Sequence, residues 1–447
     1  MSKLVNKIIK IIEEIPLASR IFSYILKNPL YKGVLVLGSG TAIAQIIGII
    51  TMPVITRLYT PDDLGVLAVY SSILAIVGIG ATLRYEFAYA LPKEDNDAAN
   101  LFGLCLIILF ITTIILGFLL FFGRELLVNF FDMSIIEPYI LFLIIGFIGM
   151  GLYTTLNYWA IRQRDYKRIT YTKVNQGASG SVCKIILGIV SFGPMGLILG
   201  HIVSQIAGIG TLARSMWIKD KENLKSISFS GMKSVAKRYK SFPIYNFPAS
   251  IVNTISLQMP PLALLILYNS EIVGYYALAH MLMVLPGSVI SQSMGQAYLG
   301  EASKMVREKS PELRSLYVRT LKHLSIIAIP LIGIPALFAP FLVPIIFGEA
   351  WVEAGWYCWP LALFVVMQFI VSPISQMLIF GLNYINLLWD IIRLSSIFGI
   401  FYVSYELNFS VILTLILYSV MMTLMYCLLV LFNIYAIKVL SMKKRYK

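Results

Sequence analysis

The chain has 447 residues, 58% hydrophobic and only 13% charged, where a soluble protein is nearer half apolar and a quarter charged. With a mean hydropathy of +0.82, that excludes an ordinary soluble globular domain. The net charge of +14 would suit nucleic acid, but the cations are spread over separate loops between apolar runs, so no nucleic-acid partner is expected.

Residues 1–32 open the chain with Lys3, Lys7, Lys10, Arg20, Lys27 and Lys32. Over 4–15, Leu4, Ile8, Ile11, Ile12 and Ile15 share one helical face. That pattern suits a helix lying on a membrane surface, and it lacks the form of a cleavable signal peptide. Twelve apolar runs follow, roughly 33–56, 66–91, 101–122, 139–160, 172–191, 194–216, 243–268, 272–298, 320–346, 355–380, 384–404 and 409–437. About 20 apolar residues carry a helix across a ~30 Å hydrocarbon core. Lipid offers the backbone no partner, and the alternation of a barrel strand is absent, so each run predicts a transmembrane helix. The expected fold class is an all-α integral membrane protein with about 12 transmembrane helices.

Lys and Arg favour cytoplasmic loops. They gather before span 1, after span 4 (Arg162, Arg164, Lys167, Arg168, Lys173), after span 6 (Arg214 to Lys240), after span 8 (Lys304 to Lys322) and in the tail 438–447. The opposite loops hold only Arg57 and Arg124. Both termini are therefore expected inside, and the basic loops are expected to touch anionic lipid. The four cysteines lie in or beside spans without metal-ligand spacing and read as thiols.

The basic linker 217–242 divides the chain into an N-lobe, 33–216, and a C-lobe, 243–437. The lobes repeat. Leu58-Tyr59-Thr60-Pro61-Asp62-Asp63-Leu64-Gly65 follows span 1, and Leu267-Tyr268-Asn269-Ser270-Glu271-Ile272-Val273-Gly274 follows span 7. The Tyr and Gly pairs share one offset of 209 (268 − 59 and 274 − 65). Six spans per lobe predict a parallel repeat, with a pseudo-two-fold along the membrane normal and a substrate path between the lobes.

A charge inside a span marks a functional candidate, because it costs at least ~2.5–3.5 kcal/mol near the bilayer centre. Span 5 carries Lys184, on a stripe with Gln176, Gly177 and Gly180. Span 11 carries Asn386, Asp390 and Arg393 on one face, and Asp390 and Arg393 can pair at i,i+3. Lys184 and Arg393 also stand 209 apart (393 − 184), so each lobe is expected to offer one cation to the cleft. Span 2 carries Arg84 and Glu86, which two apart on a helix are not expected to pair. Glu86 continues a polar stripe inward, whereas Arg84 lies on another face from which it can snorkel to the headgroups. Asn246 and Asn253 add amides in span 7, and His280 in span 8 can carry a proton. The expected substrate-binding set is Lys184, Arg393, Asn386, Asn246, Asn253 and Arg84, and the expected ion-coupling set is Asp390, Glu86 and His280. No P-loop, metal cluster or large exterior loop points to an enzyme, a cofactor or a metal.

Several motifs resemble Wzx-type polysaccharide flippases. They are Pro53-Val54-Ile55-Thr56-Arg57-Leu58-Tyr59-Thr60-Pro61, Leu83-Arg84-Tyr85-Glu86 before Leu91-Pro92, Phe347-Gly348-Glu349-Ala350-Trp351, Gly196-Leu197-Ile198-Leu199-Gly200 and Gln296-Ala297-Tyr298-Leu299-Gly300. The resemblance spans most of the chain. It implies an exporter of the multidrug/oligosaccharidyl-lipid/polysaccharide superfamily in the bacterial inner membrane. Such a protein flips undecaprenyl-diphosphate-linked oligosaccharide units for O-antigen, capsule or exopolysaccharide assembly, driven by a proton or sodium gradient. It also implies a polysaccharide polymerase and a chain-length regulator as candidate partners. The rival readings are a drug or cation exporter of the same superfamily, a membrane glycosyltransferase or repeat-unit polymerase, and a flippase of lipid-linked peptidoglycan precursors.

Overall fold

The computed structural model describes residues 29–123, 134–308, 312–379 and 383–442. The expected amphipathic segment 4–15, Arg124 and the tail cations from Lys443 onward lie outside the described residues. Within them, every regular element is a helix. The N-lobe contains α1 (Pro29–Leu58), α2 (Pro61–Gly78), α3 (Asp95–Phe122), α4 (Ile140–Arg162), α5 (Tyr166–Ile189), α6 (Pro194–Ile206) and α7 (Ile209–Lys219). A short helix, α8 (Phe229–Arg238), lies in the linker. The C-lobe contains α9 (Phe247–Leu267), α10 (Ser270–Arg307), α11 (Leu313–Ala328), α12 (Ile334–Phe347), α13 (Val352–Val371), α14 (Asn383–Glu406) and α15 (Val411–Met442).

Eleven of the expected spans form helical stretches long and apolar enough to cross a membrane. The remaining one, α5, has the length but a polar composition, and it packs between α1 and α6 inside the N-lobe. Thr170, Thr172, Gln176 and Ser181 on it are buried against protein, which is how a membrane bundle tolerates polar residues. The ninth span is two helices, α11 and α12, joined by a π-turn at Ile329–Gly333. Pro330 lies in that turn and has no N–H for the regular ladder. The linker is helical in part and is pinned to the lobe: Arg238 bonds Asp97, and Trp159 Nε1 donates to Asp220 at 3.0 Å. The Asp97 hydrogen bond raises the Arg238 guanidinium above its ordinary value.

Span 2 departs most from expectation. Its helix ends at Gly78, runs through a 3-10 turn at Ile79–Ala81, and breaks. Leu83 and Arg84 take left-handed backbone angles, φ 49° and 66°. A separate 3-10 segment, Tyr85–Ala90, follows. The span expected over 66–91 thus joins two elements that the backbone separates, and the apolar helix itself stops at Ala81, just before Arg84 and Glu86.

The repeat is visible in the helix starts. Thr60 Oγ1 accepts from the Asp63 N–H at 3.2 Å and caps α2. Its counterpart Asn269 accepts from the Ile272 N–H at 2.9 Å and caps α10. These side chains satisfy amides that the first helical turn leaves without partners. The two helices then cross at Gly65 and Gly274. A Cβ built on Gly65 would stand 1.7 Å from the Ser270 carbonyl oxygen, and one built on Gly274 would stand 1.8 Å from that of Pro61. Lipid supplies no hydrophobic drive between helices, so close backbone packing at small residues is a main source of their cohesion. Large apolar side chains such as Phe110, Ile114, Phe118 and Ile345 point outward, as lipid-facing residues do.

Candidate functional site

The lobes meet at one end of the bundle. There Ser270 Oγ bonds Asp62, and Trp351 Nε1 donates to the Thr56 carbonyl at 2.9 Å. Deeper contacts join Ser72 to Gln258 and Ser288 to Gln45, both at 3.0 Å. At the other end, the basic end that carries Arg162, Lys219 and Arg238, the lobes part around a cavity of about 720 Å³. Its walls include Asn246, Ser250 and Asn253 before and along α9, Gln368 on α13, Ser372 and Ser375 just after it, Asn386, Trp389, Asp390 and Arg393 on α14, and Tyr426 on α15. Among the described lining residues, only Phe87 comes from the N-lobe.

Arg393 organises the charged part of this wall. One of its terminal nitrogens donates to Asn253 Oδ1 at 2.8 Å and to Asp390 Oδ1 at 2.9 Å. The guanidinium lies over the Trp389 ring, 4.4 Å from its centroid. Trp389 sits one turn earlier on α14 and is anchored through Nε1 to the Met425 carbonyl at 2.9 Å. The Nε of Arg393 is buried and has no partner. A planar guanidinium at a cavity wall, above an aromatic ring and beside amides, is suited to an anionic oxygen ligand. The expected i,i+3 pair with Asp390 is present. Arg393 therefore reaches the cavity already paired with one carboxylate.

The N-lobe contributes a second pair behind Phe87. Arg84 lies 3.6 Å from Glu86 and sits over the Phe87 ring at 5.2 Å. Glu86 is buried and accepts from Thr82 Oγ1. A continuous helix would hold residues two apart on different faces. The left-handed turn at Leu83 and Arg84 removes that restriction, so the expectation that they do not pair is corrected. Asn246, Asn253, Asn386, Asp390 and Arg393 therefore come together at the cavity, with Arg84 and Glu86 one side chain behind it.

Lys184 and His280 lie elsewhere. Lys184 packs across Gly200, where an added Cβ would approach its Cγ to 2.3 Å. Its carbonyl accepts from the Tyr59 hydroxyl at 2.7 Å. It stands five residues before the end of α5 (189 − 184), about 8 Å at 1.5 Å per residue. Arg393 stands thirteen before the end of α14 (406 − 393), about 20 Å. The shared offset of 209 thus joins two cations at different depths. His280 is stacked between Tyr276 and Phe364, with centroids 5.6 and 6.1 Å away, inside the C-lobe. Trp389, Tyr426, Gln368 and Phe87 were not among the expected site residues. Trp389 had a signal, since it precedes Arg393 by one helical turn. Phe87 had none, because its exposure to the cavity depends on the break in span 2.

Residues 54–355 match the family model described as polysaccharide biosynthesis protein. A comparison with curated proteins gave no match. Among solved structures, the chain is similar to an inward-facing multidrug resistance MATE family transporter of the MOP superfamily. The TM-score is 0.69 at 15% identity, over 92% of this chain and 96% of that one. It is similar to a Vibrio cholerae MATE transporter, with TM-score 0.58 and 13% identity over 93% and 98% of the two chains. A MOP superfamily transporter from Pyrococcus furiosus, described as having a binding pocket of reverse polarity, gives TM-score 0.59 at 15% identity over 92% and 96%. At these identities the likeness shows the fold, a two-lobed helical transporter architecture.

Proposed function

The chain belongs to the polysaccharide biosynthesis protein family, and we propose that within it the protein flips undecaprenyl-diphosphate-linked oligosaccharide units. It moves them from the inner to the outer leaflet of the bacterial inner membrane, for O-antigen, capsule or exopolysaccharide assembly. The observation that carries this reading is Arg393, held at the inter-lobe cavity by Asn253 and Trp389 beside the amides of Asn246 and Asn386. A diphosphate cannot shed its water into hydrocarbon, since bare charge burial costs many kcal/mol. The Arg393 fork and the amides of Asn246, Asn253 and Asn386 replace that water while the prenyl tail stays in lipid. The basic end faces the cytoplasm, so the cavity loads from the side where precursors are made. Export of negative charge from an inside-negative cell is favoured by ~2.3 kcal/mol per charge per 100 mV.

Asp390 and the diphosphate compete for one guanidinium. A proton or sodium ion on Asp390 releases Arg393, which makes Asp390 the leading coupling site. Glu86 stands in the same relation to Arg84, and His280 is a further proton site within the C-lobe. The cavity geometry weighs against a drug or cation exporter, because both carboxylates near the cavity, Asp390 and Glu86, already hold an arginine. The test is deletion followed by complementation in a bacterium that has no second flippase. Lipid-linked repeat units should accumulate on the inner leaflet and surface glycan should be lost. Normal surface glycan in the deletion strain overturns the proposal.

A further inference from the structure

The N-lobe carries a second opening, which shares no lining residue with the inter-lobe cavity. It lies at the basic end between the start of α5 and α7 and also encloses about 720 Å³. Lys167, Arg168 and Tyr171 form one side, and Gly210, Arg214 and Ile218 form the other. Lys167 and Tyr171 are one turn apart on α5, and Gly210, Arg214 and Ile218 are successive turns of α7, so two helix faces look at each other. The chain sets them so at Gly208, whose φ of 104° turns α6 into α7. A Cβ there would stand 2.6 Å from Thr172 Cβ, so the start of α7 rests directly on α5.

The groove is amphipathic in composition. Asp165 is shared by Arg168 at 3.3 Å and Lys219 at 3.1 Å. Lys167 and Arg214 also line the groove, so its walls carry three cations, Lys167, Arg168 and Arg214, against the one carboxylate of Asp165. Beside the cations, Tyr171 is 47%, Ile218 68% and the adjacent Trp217 63% exposed. Free phosphate gains nothing from those apolar surfaces. A phospholipid gains from both parts, its phosphate from the cations and the root of its acyl chains from Tyr171 and Ile218. Tyr and Trp at this level sit where headgroups meet hydrocarbon, and basic pockets between membrane helices suit anionic headgroups.

We propose that the groove between α5 and α7 is a binding site for an anionic phospholipid, with Lys167, Arg168 and Arg214 on its phosphate. The site does not depend on the identity of the transported substrate. Gly210 provides a test that leaves charge untouched. A Cβ built on it meets nothing within 4 Å, so Gly210→Leu fills the groove without displacing a neighbour.

The experiment is native mass spectrometry of the full-length protein in detergent. Phosphatidylglycerol, phosphatidylcholine and inorganic phosphate are titrated in separate arms. Phosphatidylglycerol should be retained in preference to phosphatidylcholine. Lys167→Gln with Arg214→Gln should weaken it by roughly fivefold per charge removed. Gly210→Leu should weaken it with every charge kept, while Lys233→Gln with Lys237→Gln on α8 should not. Equal retention of phosphatidylcholine, displacement by millimolar inorganic phosphate, or unchanged binding in both the charge and the Gly210→Leu variants would each overturn the proposal.

Discussion

Gly65 and Gly274 occupy the same position in the two halves of the repeat, and each packs its Cα against the backbone of the other's helix. The Ser270 carbonyl blocks a side chain at one, and the Pro61 carbonyl blocks it at the other. The pseudo-two-fold therefore passes through this crossing, beside the end where Ser270 bonds Asp62. The arrangement describes the lobes closed at that end and open at the basic end.

A side chain at either glycine should oppose this closed end. Overpacking of this kind costs about 1–3 kcal/mol, a shift of roughly five- to hundred-fold between states. Gly65→Ala and Gly274→Ala should each raise labelling of a cysteine placed at Thr56, which is buried at this end and receives Trp351 on its backbone carbonyl, and the double variant should raise it further. Unchanged labelling in both would show that the crossing is not part of the gate.

Arg393→Ala should abolish flipping, and Arg393→Lys should keep part of it, because charge survives while the planar fork is lost. Asp390→Asn combined with Arg393→Ala should remain inactive if Arg393 holds substrate. Recovery of surface glycan in that double variant would instead assign Arg393 to neutralising Asp390. Lys184→Met should leave substrate affinity unchanged, since Lys184 packs against α6 and does not line the cavity. Surface glycan at matched membrane levels, with binding of a lipid-linked oligosaccharide to the purified protein, reads all four.

Arg84→Ala should destabilise the N-lobe, because it leaves buried Glu86 without its cation. Breaking a buried pair from one side costs about 3–5 kcal/mol. Arg84→Ala with Glu86→Gln should recover much of that loss, since the neutral amide can keep the hydrogen bond to Thr82. Thermal unfolding in detergent measures the difference. Equal melting temperatures for wild type and Arg84→Ala would remove the pair from the folding account.

The ends of the bundle should lie on opposite sides of the membrane. A reporter within Glu349–Trp351 should read outside, and one within Lys221–Lys225 should read inside. The motive is the crowding of Arg and Lys at one end. Reversal of both reporters would turn the cavity to face outward and remove the loading argument.

The helical membrane fold, the two lobes and the turns that repeat between them are legible in the chain before any folding is considered. Those properties are local or additive. A span is a length of apolar chain, and a cap is a side chain three residues from an amide, as Thr60 and Asn269 are. The pairing of Asp390 with Arg393 was legible for the same reason, since i,i+3 spacing on one helix settles it. Which polar residues meet across helices is settled in three dimensions. Lys184 and Arg393 share an offset and a polar stripe, yet one packs inside its lobe and the other lines the cavity. Arg84 reaches Glu86 because two residues between helical segments take left-handed angles, which hydropathy does not specify. Phe87, Trp389 and Tyr426 line one cavity from three elements that are far apart in the chain. A stripe shows that a helix has a polar face, but the neighbour that covers it is chosen by close packing of whole helices, and no periodicity in one segment encodes that choice.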